Sequence, residues 1–73
     1  MNTRLKIITE DEVTVLHQFN NSDEIVDAVG ESFHFEIDEV FSIGKSGFKI
    51  KNIYIELKNG EYTINLYVVS YLF

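Results

Sequence analysis

Polar and apolar residues alternate with a period of two along most of this chain, and the period changes only once. Residues 4–9 (Arg-Leu-Lys-Ile-Ile-Thr) and 12–19 (Glu-Val-Thr-Val-Leu-His-Gln-Phe) read as two half-buried strands, joined tightly at Glu10-Asp11 as a hairpin. Asn20-Asn21-Ser22 then breaks the pattern, and each of these side chains can cap a helix. Asn21 followed by Glu24 predicts a variant capping box. At 100° per residue, Ile25, Val26, Ala28 and Val29 fall within an arc of roughly 160°, with Asp23, Glu24, Asp27 and Glu31 opposite. That predicts a short amphipathic helix over about 22–30, with acids suited to the positive end of its dipole and Gly30 as its stop.

The period of two then returns. Odd-numbered Phe33, Phe35, Ile37, Phe41 and Ile43 predict a strand over about 33–43, bent near Asp38-Glu39. Gly44-Lys45-Ser46-Gly47 reads as a turn. Phe48 to Leu57 reads as a strand whose parity shifts between Ile50 and Ile53, which predicts a bulge near Asn52. Asn59-Gly60 is the strongest local signal, because a type I′ hairpin needs φ > 0 at both central residues. In the last strand, Tyr62, Ile64, Leu66, Val68 and Leu72 form a core face. The other face starts polar (Glu61, Thr63, Asn65) and becomes apolar at Tyr67, Val69, Tyr71 and Phe73. That second patch needs a cover: the helix, a curling sheet or another molecule.

The order β-β-α-β-β-β predicts an α+β fold: one domain over residues 1–73, with a mostly antiparallel sheet of about five strands and one short helix. The alternative is a small curled barrel that resembles SH3-like folds in strand count alone. A chain of 73 residues buries only about 60% of its unfolded surface, and this one has no cysteine to staple it. No apolar run approaches the roughly 20 residues of a membrane helix, and residues 1–6 enter a strand pattern with no signal-peptide core. A cytoplasmic location is therefore expected, with no membrane partner. A single Ala (Ala28), a single Arg (Arg4), no Pro and abundant Ile, Asn, Lys, Phe and Tyr match AT-rich codons, hence a low-GC bacterium, plasmid or phage.

Charge divides the chain. Ten acids against Arg4 and Lys6 leave −8 in residues 1–39, while Lys45, Lys49, Lys51 and Lys58 against Glu56 and Glu61 leave +2 in residues 40–73. This balance argues against direct nucleic-acid binding, which relies on Lys and Arg, and permits a basic partner. Catalytic chemistry is not legible. Gly44-Lys45-Ser46 matches the end of a phosphate-binding loop, but position 39 is Glu where that motif needs Gly, and a strand follows where it needs a helix. His34, Glu36 and Asp38 share parity and offer nitrogen and oxygen ligands, yet they also suit the solvated side of a strand. His17 reads as a core-edge histidine or a simple surface residue, without an identifiable acid-base partner. No enzyme activity, cofactor or metal is assigned.

Two surfaces remain. Asp23, Asp27 and Glu31, with Glu24 beside them, repeat every four residues, roughly 6 Å apart, a spacing similar to successive nucleic-acid phosphates. Such a row could occupy a basic groove in a partner protein. The expectation is a small acidic, non-enzymatic protein-binding module, an inhibitor of phage or plasmid type that mimics nucleic acid. Its alternative is a self-associating subunit, a homodimer built on Tyr67, Val69, Tyr71 and Phe73 of the C-terminal strand.

Overall fold

The computed structural model describes residues 2–31 and 34–72. Its elements are β1 (Thr3–Thr9), β2 (Val15–Phe19), α1 (Ser22–Val29), β3 (Val40–Ile43), β4 (Ser46–Lys58) and β5 (Glu61–Ser70). They build the expected α+β architecture: one five-stranded sheet in the order β2-β1-β5-β4-β3, with one short helix. Three of its strand pairs are antiparallel, but β1 and β5 run parallel, Leu5 beside Ile64 and Ile7 beside Leu66. The sheet is thus mixed, and the C-terminal strand lies at its centre.

The sheet curls into a half-barrel. His17 of β2 and Phe48 of β4 meet edge to face with ring centroids 6.1 Å apart, although two strands separate them in the sheet order. In a flat sheet, strands three places apart would lie about 14 Å apart. The concave side holds the core, in which Leu5, Ile7, Ile50 and Leu66 are fully buried and Phe41, Phe48 and Val68 pack beside them. Helix α1 joins β2 to β3 across the open mouth of the half-barrel, touching both outer strands and β1. Its Ile25 completes the core, with Val29 half-buried beside it. Burying a side chain of that size contributes about 2 kcal/mol.

The helix ends follow local chemistry. Asn21 Oδ1 accepts the Glu24 N–H at 2.9 Å, and Glu24 reaches back to the Asn20 N–H and the Asn21 amide. Gly30, at φ 88°, donates its N–H to the Val26 carbonyl at 2.8 Å. Asn59 and Gly60 both have positive φ (54° and 75°), as the type I′ turn requires. Two-residue pairing across Gly44-Lys45 closes the β3–β4 hairpin, and the parity shift in β4 is a bulge between Ile50 and Asn52.

Two expectations are corrected. The β1–β2 connection is not tight: Thr9 N–H reaches Thr14 O, Glu12 takes φ 65°, and the strand begins at Val15 rather than residue 12. The Asp11 carboxylate organises this loop by accepting from the Thr9 hydroxyl and the Val13 N–H, which holds its pKa below the usual carboxylate value. The predicted strand over 33–43 shrinks to Val40–Ile43, and residues 34–39 are irregular with Asp38 at φ 71°. Phe33 lies outside the described residues.

Candidate functional site

The acidic helix row is only partly realised. Asp23 and Asp27 lie exposed on the outer side of α1, and neither is in an ion pair among the described residues. Glu31 falls beyond the Gly30 cap, where the chain has left the helical path, so it does not continue their spacing. Glu24 is committed to the cap hydrogen bonds. The geometric likeness to successive phosphates is reduced to two carboxylates.

His34, Glu36 and Asp38 do not project from one strand face, because no strand forms there. Asp38 instead donates its N–H to the Ile50 carbonyl and lies 3.9 Å from Lys49 Nζ. No three of His, Cys, Asp and Glu gather into a metal-holding group among the described residues. His17 is half-buried between Phe19, on which it stacks at 6.2 Å, and Phe48. Of the two positions the sequence leaves open for it, the core edge is the one it takes.

The C-terminal patch changes meaning with the topology. Because β5 pairs with β1 on one side and β4 on the other, it has no free edge to offer a second chain. Tyr67 and Val69 are half-buried on the convex face, where Tyr67 lies beside Ile8 and opposite Asn52. Burial pushes the Tyr67 phenol pKa up, and the Glu12 and Glu56 carboxylates push it further. Tyr71 follows the end of the strand at 41% exposure, and Phe73 lies outside the described residues. Where β2 approaches β4, an open groove of about 640 Å³ is lined by Leu16, His17, Lys45, Phe48, Tyr71 and Leu72.

The surface that sequence reasoning missed is the outer edge of β4. Strand β3 and the segment at Asp38-Glu39 cover that edge only as far as Ile50, where Ile50 N–H donates to Glu39 O. Along residues 51–58 no second strand lies on the outer side among the described residues. The register places Ile53, Ile55 and Leu57 opposite Leu66, Ile64 and Tyr62 on the concave face, where Ile53 still packs against the core. Ile55 and Leu57 are 59% and 61% exposed, and Tyr54 on the convex face is half-exposed. An apolar strand with an open side is a template for pairing with another chain. The one cue in the sequence was that a helix this short cannot cover all the apolar positions of five strands.

No protein-family model matches the chain, and neither a curated protein nor a solved structure matches it. Among the described residues, no helix is long and apolar enough to cross a membrane.

Proposed function

We propose that this chain is a small, non-catalytic protein-binding module whose contact element is the free edge of β4. The observation that carries this reading is the open strand at residues 51–58 with Tyr54, Ile55 and Leu57 exposed along it. A partner strand laid there satisfies backbone donors and acceptors and removes the apolar side chains from water together. The cytoplasm is the compartment expected for such a module.

A second reading uses the helix. Asp23 and Asp27 are exposed and unpaired among the described residues of a chain with net charge −6, which favours a basic partner. In that reading the module is an inhibitor occupying a nucleic-acid groove, and β4 is only scaffold.

A photo-crosslinking amino acid placed at Tyr54, and separately at Asp23, tests both readings in cells producing the whole chain. Protein adducts from position 54, with the chain itself counted as a partner, are the expected result. Adducts from position 23 alone would move the function to the acidic helix. None from either position would end the protein-binding reading.

A further inference from the structure

We propose that the partner at the β4 edge is a second copy of this chain, paired antiparallel about a two-fold axis at Ile55. The two five-stranded sheets would then join edge to edge into one continuous sheet. This rests on the protein-binding reading above and names its partner.

The strand is self-complementary in the way a two-fold axis demands, since each residue i must face a residue j that in turn faces i. Directly opposed residues in an antiparallel pair share a face, so only registers that match odd with odd preserve the sheet. Centring on Ile55 places Ile55 against its own counterpart and Ile53 against Leu57, twice. The concave face gains an unbroken stripe, continuous with Ile64 and Tyr62 of each copy. On the convex face Tyr54 meets Glu56, and Asn52 meets Lys58, so no like charges are directly opposed. Centring on Glu56 would set two carboxylates against each other.

Charge selects the same surface. The chain carries −6, so two copies repel at most approaches. The hairpin over residues 51–62 is neutral, Lys51 and Lys58 balancing Glu56 and Glu61. The two ends of the edge do not repel each other. Asp38 and Glu39 sit where the edge begins at Ile50, balanced there by Lys51 and by Lys49, which lies 3.9 Å from Asp38, and Lys58 sits where it ends. Antiparallel pairing carries the Lys58 of each copy to the Asp38-Glu39 end of the other.

The test begins with light scattering and sedimentation across a concentration series at low and high salt. A reversible dimer that persists at high salt is expected, because apolar burial and backbone pairing carry it. Ile55→Lys, at an exposed position, puts two ammonium groups face to face and should weaken the dimer about a hundredfold. The fold should survive by circular dichroism. The chain has no cysteine, so Ile55→Cys gives an independent readout even if the lysine variant fails to fold. It should oxidise to a disulfide dimer, whereas Val13→Cys, in the exposed β1–β2 loop, should not. A monomer at every concentration, with Ile55→Cys crosslinking no faster than Val13→Cys, overturns the proposal. In that case the Lys51 bulge and Lys58 act as guards against self-pairing. Adducts to a different protein from position 54 would still leave the protein-binding reading standing.

Discussion

The two ends of β4 are written in nearly the same pattern and have opposite fates. Phe48 and Ile50 alternate with Lys49 and Lys51, and both apolar side chains are buried; Ile50 is fully enclosed. Ile53, Ile55 and Leu57 alternate with Tyr54, Glu56 and Lys58 in the same way, yet Ile55 and Leu57 stand more than half exposed. Both ends pair with β5 on one side. They differ on the other side and overhead: the first end has β3 beside it and the core around Ile25 and Phe41 packed on its face, while the second has no strand beside it among the described residues and touches the core only through Ile53 at its start. Alternation therefore reports which side chains share a face. Whether that face is covered depends on which elements lie within reach.

The largest expected effect comes from comparing Ile50→Ala with Ile55→Ala at protein concentrations low enough to favour monomer. Removing the enclosed side chain leaves a cavity and should cost about 3 kcal/mol in urea unfolding. The same change at Ile55 should cost under about 1 kcal/mol, because most of that side chain already meets water. Equal losses would mean that the free end is covered in the monomer, and the contrast would collapse.

Asn21→Ala sharpens the comparison from the side of the cover. Loss of the cap should cost about 1 kcal/mol, read as a drop in thermal unfolding midpoint. Amide exchange should quicken around Phe48 to Ile50, whose side chains share the core with Ile25, and stay unchanged at Glu56 to Lys58. Faster exchange spread evenly along β4 would show that the two ends respond as one unit.

The smallest effect lies where the two ends meet, at Tyr67 opposite Asn52 beside the bulge. Burial and the nearby Glu12 and Glu56 carboxylates raise its pKa above the ordinary tyrosine value of 10.0. A raised folded-state value means a stabilising contribution that is present below pH 10 and lost as pH climbs through the native pKa. Absorbance titration should show one tyrosine ionising later than the rest, and Tyr67→Phe should remove that late phase. If the late phase persists in Tyr67→Phe, another tyrosine is the desolvated one.

Much of the local structure was legible because it depends on neighbours in sequence. The Asn21–Glu24 cap, the Gly30 stop, the Asn59-Gly60 turn and the bulge at Asn52 each arise from backbone preferences and hydrogen bonds spanning a few residues. The readings that failed depended on distant partners. Phe35 and Ile37 kept strand parity, but their backbone turns at Asp38, where Asp38 N–H donates to the Ile50 carbonyl and Ile50 N–H to the Glu39 carbonyl without a strand forming. Glu31 is the exception, lost on local grounds: it kept helical spacing but lies past Gly30, the stop that the sequence itself marks. The sequence leaves the cover of the second face of the C-terminal strand open between the helix, a curling sheet and another molecule, whereas β1 pairs with that strand in parallel and places it at the centre of the sheet.

By itself, the sequence determined the element order, the helix limits, the hairpin at Asn59-Gly60, the core face of β5 and the acidic character of residues 1–39. These follow from periodicity, caps, turn chemistry and charge, all of which act over short stretches. Only the tertiary structure decided that β5 is central, that the sheet curls until His17 meets Phe48, and that β4 beyond Ile50 has an open side. Strand order and curl are set by contacts between residues far apart in sequence. An exposed edge strand and a buried one satisfy the same two-residue period until the neighbouring elements are in place.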